Sequence, residues 1–142
     1  MKALLSIKPE FVEEIIEGRK KFEYRKKVFK RSDVSSIVVY ATKPYGKVVG
    51  EFEIADIIEE SIDQLWDNTK RFSGITEEFF YDYFKDKESG FAIKIEKFIR
   101  YEKPLELSEF DSSIRVAPQS FCYIGDWAID NMKSWIGRWG KS

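Results

Sequence analysis

The sequence predicts an α+β domain in which a small mixed β-sheet curls toward a barrel and helices pack at its sides. Three observations lead there. Apolar runs rich in β-branched and aromatic residues recur as "ALLSI", "SIVVYAT", "KVVGEFEIADII" and "GFAIKIEKFI". Stretches with apolar residues at helical spacing lie between some of these runs but not others. The two kinds of segment neither alternate regularly, as a doubly wound parallel sheet requires, nor separate into two halves.

The chain of 142 residues is expected to form one domain, 1–142, large enough to bury roughly 70% of its unfolded surface. Hydrophobic residues at 43% and aromatics at 16% supply a core, so the 35% charged fraction reads as its solvated surface. No apolar run approaches the ~18 residues of a membrane span, and "MKALLSIKPEF" is interrupted too early for a signal peptide. A cytoplasmic location is therefore expected, with no membrane partner. Cys122 is the single cysteine, which excludes an internal disulfide and reads as a small buried hydrophobe. The sequence has no histidine, which removes Ser/His/Asp triads, Cys/His dyads and His-ligated zinc or haem. No cofactor and no transition metal is called for, while Mg²⁺ held by carboxylates stays open.

Along the chain, "ALLSI" is a first buried strand, and Pro9 suits the first turn of a helix because its missing N–H is not needed there. Phe11, Val12, Ile15 and Ile16 then share a helical face opposite Glu10, Glu13, Glu14 and Glu17, and Gly18 ends the helix. From Lys21 the period becomes two, which sets Phe22 and Tyr24 toward a core and Glu23 and Arg25 together on the other face. Two strands surround the turn "KPYGK", and residues 61–90 read as helical material with Thr76 capping an aromatic helix. In that helix Phe79, Phe80, Tyr83 and Phe84 lie at helical spacing, which reads as a core stripe ahead of a base-stacking platform. After Pro104 and Pro118 a Trp-rich helix is expected at about 126–139, carrying Trp127, Trp135 and Trp139. Its Trp stripe packs on its own domain or seals a homodimer.

Charge is distributed unevenly. Arg19, Lys20, Lys21, Arg25, Lys26, Lys27, Lys30 and Arg31 place eight of the chain's 24 basic residues within thirteen positions, although the net charge is -1. The resulting local positive field suits phosphate-bearing partners, and the interleaved Phe22, Tyr24 and Phe29 would add base stacking wherever they were exposed. Within this run Gly18, Lys20, Glu23 and Arg25 spell G-x-K-x-x-E-x-R directly after a helix.

That spacing resembles the signature of the ASCH domain family in the PUA-like superfamily, and "APQSF" at 117–121 is similar to a late segment of some members. The resemblance covers about 1–124. It implies a PUA-like small mixed β-barrel with flanking helices and a cleft lined by the motif, in a protein that binds RNA, a nucleotide or a nucleoside. Some members act as amidohydrolases on acylated cytidine nucleosides and some as ribonucleases. In the amidohydrolase branch the motif lysine, matched here by Lys20, works with a threonine and a glutamate from outside the motif; Glu23 stands where that threonine falls.

The candidate nucleic-acid-binding residues are accordingly Lys20, Lys21, Glu23, Arg25 and Lys26, and the candidate catalytic pair, if the protein is an enzyme, is Lys20 and Glu23. Lys20 acting as a general base requires its pKa to fall from about 10.4 to near 7, which desolvation favours and Glu23 opposes. A close Glu23 is thus expected to keep Lys20 charged for anion binding, or to serve as the base itself. Arg25 either clamps a phosphate or locks Glu23 as a fork. Ser120 reads as a turn hydroxyl, and Lys43, Tyr45 and Lys47 as a turn that could extend a binding surface. Three classes of function follow: an RNA- or nucleotide-binding module, a hydrolase of acylated nucleosides or RNA phosphodiesters, and an adaptor working through the Trp-rich tail.

Overall fold

A computed structural model describes residues 1–124. Strand β1 (Lys2–Ile7) leads into helix α1 (Pro9–Ile16), which starts at Pro9 as expected, and short strand β2 (Phe22–Arg25) follows. β3 (Ser36–Ala41) then runs parallel to β1 with Lys2 opposite Ser36 and Ile7 opposite Ala41. Both strands are buried on two faces. Ala3, Leu5, Ile7, Ile37, Val39 and Ala41 join Val12 and Ile15 of α1 in one core, while Leu4, Val38 and Tyr40 point into a second. Burial on both faces is why "ALLSI" and "SIVVYAT" read as unbroken apolar runs rather than alternating ones.

β4 (Lys47–Ser61) and β5 (Ser89–Leu105) pair antiparallel from Val48 opposite Leu105 to Ser61 opposite Ser89, through several register shifts. Between their far ends sit α2 (Ile62–Thr69), a 3-10 turn over Lys70–Phe72 and α3 (Glu77–Tyr83). These helices cover a third core built from Phe22, Tyr24, Leu65, Trp66, Phe80, Phe84 and Ala92. Thr76 caps α3 as expected, its Oγ1 accepting the Phe79 N–H at 3.0 Å. α4 (Leu107–Phe110) closes over the second core, and β6 (Phe121–Ile124) pairs antiparallel with β1. β6 went unread in the sequence because four residues carry too little periodicity. Its Cys122 is half-buried, and burial holds its thiol pKa above the ordinary value.

The six strands form one sheet in the order β2-β5-β4-β3-β1-β6. Among the described residues no ladder joins β2 to β6, so the expected barrel is not closed by backbone hydrogen bonds. β2 is only four residues long, and the loop that follows it reaches β6 through side chains instead. Tyr123 Oη accepts the N–H groups of Lys30 and Arg31 at 3.1 and 3.3 Å, and Phe29 meets Phe121 edge to face at 5.7 Å. The segment expected to form the Trp-rich helix and its homodimer surface lies outside the described residues. No helix among the described residues is long and apolar enough to cross a membrane.

Candidate functional site

The end of α1 aims the motif. Gly18 takes φ +79, its N–H donates to Ile15 O at 3.1 Å, and the Arg19 N–H donates to Glu14 O at 3.0 Å. This pair of bonds is a Schellman turn, whose left-handed residue is favourable only for glycine or asparagine. Arg19 leaves the turn outward and pairs with the Glu14 carboxylate at 2.7 Å. Lys20, one residue on, is turned inward and is only 2% exposed. Gly74, at φ +64, lies directly upon it, and a Cβ there would overlap the Lys20 side chain.

Inside, Lys20 Nζ donates to the Ser73 carbonyl at 2.8 Å and sits over the rings of Tyr24 and Phe11 at 4.9 and 5.3 Å. Glu23 Oε1 is 3.9 Å away, too far for a hydrogen bond. Burial pushes the Lys20 pKa down to about 8, and the Glu23 and Glu14 carboxylates oppose that only in part. A value of about 8 lies below that of an ordinary lysine yet leaves Lys20 mostly charged at pH 7, the state expected beside a close Glu23. Desolvation outweighs one carboxylate at this distance, and at pH 7 roughly one molecule in ten carries the free amine.

Arg25 shares the strand face of Glu23, as alternation predicts, and its Nη1 lies 3.3 Å from Glu23 Oε2. The same guanidinium donates to Ser6 O at 3.3 Å, Ser120 O at 2.8 Å and Ser120 Oγ at 3.2 Å. It thus spans from β2 to β1 and to the residue before β6, bridging the seam that the backbone leaves open. Ser120 holds this fork as partner, with no base beside it among the described residues.

Lys20, Glu23 and Arg25 converge on one cleft of about 230 Å³, walled by Phe11, Tyr24, Phe79 and Tyr83. Lys21 does not line it: the Lys21 backbone pairs with Phe72 and Ile95, and its ammonium lies over the Phe72 ring at 4.4 Å. Lys26 stands at the rim, its N–H donating to Tyr83 Oη at 3.3 Å and its ammonium 4.8 Å from the Tyr83 ring. Burial raises the Tyr83 pKa, so its hydroxyl stays protonated.

The aromatic stripe of α3 divides. Phe80 and Phe84 are core as expected, whereas Phe79 and Tyr83 face the cleft. Lys8 also lines the cleft, with Nζ 5.6 Å from the Phe79 ring. The sequence reading ranked core above a stacking platform for Phe79 and Tyr83 alike, and it missed Lys8 as a site residue. The i, i+4 spacing of Phe79 and Tyr83 was the available signal, since it puts them on one flank of the helix.

This geometry defines a class: a small α+β protein with an open mixed sheet and a cationic, aromatic-walled cleft beside its first helix. A sequence model of the ASCH domain matches residues 5–104, and the chain belongs to the ASCH domain family. It is 27% identical over 124 residues to an ASCH domain-containing ribonuclease of Zymomonas mobilis, covering 86% of this chain and 83% of that protein. The crystal structure of ASCH from Zymomonas mobilis matches with a TM-score of 0.85 over 94% of each chain at 25% identity. A 91-residue stretch is 30% identical to large ribosomal subunit protein uL22 of Ureaplasma parvum, spanning 64% of this chain and 29% of that protein.

Proposed function

We propose that this chain binds RNA or a nucleotide by taking one unpaired base into the cleft between Lys20 and Glu23. The observation that carries the reading is the unspent hydrogen-bonding capacity at the cleft floor. Of the three Lys20 N–H donors one is used on Ser73, and Glu23 Oε1 accepts no hydrogen bond among the described residues. An edge that presents an acceptor beside a donor, as every nucleobase does, fills the 3.9 Å gap from both sides. Phe79 and Tyr83 offer the flat apolar walls on which a base stacks, a contribution of about 1–3 kcal/mol per base. Arg25 positions Glu23, Lys26 supplies a rim cation for phosphate, and Lys21 lies farther off as an auxiliary contact. The Zymomonas mobilis relative, named a ribonuclease, supports RNA as the partner class. An RNA partner and a single unpaired cysteine fit a cytoplasmic protein, and a seam bridged by side chains is compatible with a PUA-like barrel.

The test is equilibrium binding of fluorescein-labelled single-stranded RNA and of free nucleotides to wild type, Lys20→Met and Glu23→Gln. Each substitution is expected to weaken binding at least tenfold while the circular dichroism spectrum stays unchanged. Wild-type affinity for both variants would sink the assignment.

A second reading, hydrolysis in the same cleft, is favoured by the Lys20 pKa of about 8, which leaves some free amine at neutral pH. On an acylated nucleoside or an RNA phosphodiester, that free amine would take the proton of the attacking hydroxyl or water and return it to the leaving group; with Lys20 charged instead, Glu23 would carry that proton and the ammonium would stabilise the developing negative charge. Incubation with labelled RNA and with acylated cytidine separates the readings: turnover lost in Lys20→Met supports the hydrolase, and binding without turnover supports the module.

A further inference from the structure

The base cleft does not end at its own walls. Ser6 and Gln119 line both the inner cleft and a second, broader groove of about 1050 Å³, so the two hollows meet across a saddle formed by these residues. Ser6 is held firmly there, its Oγ donating to Pro118 O at 2.7 Å and its carbonyl accepting from Arg25. Gln119 is exposed, and no hydrogen bond to its amide occurs among the described residues.

The outer groove runs between the β3–β4 turn and the loop after α4. Its charges are unbalanced. Glu106 is neutralised by Lys47 at 2.9 Å, while Lys43 and Arg115 carry no ion pair among the described residues. Beside them Val116 is 80% exposed, an apolar side chain on the surface of the described residues. Two unpaired cations and an exposed apolar side chain, joined to a base-sized cleft by a polar saddle, match the alternation of phosphate and base along a single strand.

We propose that the inner cleft and the outer groove form one track, so that the ligand is a single-stranded oligonucleotide of at least two residues and not a free nucleoside or mononucleotide. This rests on the base-binding reading of the inner cleft. One base enters above Lys20, the next phosphate passes the Gln119 amide, and Lys43 and Arg115 hold the phosphates beyond. The second ribose or base lies on Val116.

The proposal is tested by titrating fluorescein-labelled oligoribonucleotides of one, two, three and six residues, of mixed sequence, against wild type and Lys43→Ala/Arg115→Ala. Both substituted side chains are on the surface, and thermal melting confirms the fold. Wild-type affinity is expected to rise at least tenfold from one residue to three. The double variant is expected to bind the mononucleotide as wild type does and to lose that rise. Two lost phosphate contacts also mean that the drop in hexanucleotide affinity from 50 to 200 mM salt is about sevenfold smaller than in wild type. Length-independent affinity, or a double variant with wild-type hexanucleotide binding, overturns the track and leaves the base cleft standing. No binding of any length by wild type overturns both.

Discussion

Lys20 and Arg25 flank the same carboxylate and do opposite work. The ammonium of Lys20 is buried beneath Gly74 with one hydrogen bond, so it keeps donors for a ligand and has its pKa lowered. The guanidinium of Arg25 divides its donors among Ser6, Ser120 and Glu23, so its directional capacity is spent on the fold. Two cations, one three positions before a glutamate and one two positions after it, thus separate into an ammonium with donors to spare and a structural brace. The difference follows from geometry: a rigid fork can satisfy several carbonyls across a seam, whereas a single-point ammonium cannot.

The largest effect on this contrast is expected from Gly74→Val. A β-branched residue at φ +64, overlapping Lys20, should cost roughly 3 kcal/mol or more and expel the lysine from the cleft floor. Urea denaturation measures the loss. A stable variant that still binds RNA would mean that the cover over Lys20 is dispensable.

Next comes Arg25→Ala, which leaves the Ser6 and Ser120 carbonyls without their donor and should destabilise by about 2–3 kcal/mol. Arg25→Lys should recover only a minority of this, because one ammonium cannot reach both edges. If lysine restored full stability, charge rather than the fork would be what bridges the seam.

The Lys20 contribution is read from pH. Its folded pKa, about 8, lies below the unfolded value, so the unfolded state binds the proton more tightly between pH 8 and about 10.5. Stability therefore rises with pH in that window, by about 2 kcal/mol from pH 8 to 10, and the penalty is fully present below pH 8. Subtracting the Lys20→Met curve removes the other titrations, including Tyr24, whose pKa burial raises to about 12. A flat difference curve would show that Lys20 is solvated after all.

The smallest effect is Thr76→Ala, which removes the cap of the helix carrying Phe79 and Tyr83 and should cost about 1 kcal/mol in thermal denaturation. RNA affinity should fall less than twofold, since the aromatic wall remains; a larger fall would tie the wall's position to this one hydrogen bond.

Much of the candidate site could be read locally. The Gly18 stop, the shared face of Glu23 and Arg25, the Thr76 cap and the core positions of Phe80 and Phe84 each depend on residues within four positions of one another. Strand β6 and the roles of Ser6, Lys8 and Gln119 did not show. Each depends on a partner far along the chain, as with Ser6 and Pro118 or Arg25 and Ser120.

A resemblance to a known signature pointed to the family; by itself, the sequence determined the α+β character, the elements that carry the motif and the shared face of Glu23 and Arg25. These follow from spacing, which backbone geometry converts directly into faces and turns. Only the tertiary structure decided that Lys20 is buried, that Arg25 is committed to the seam, that the sheet stays open and that the cleft continues into a second groove. Burial and hydrogen-bond competition are set by groups that chain folding brings together, and no periodicity along the chain encodes which of them reaches a given cation first.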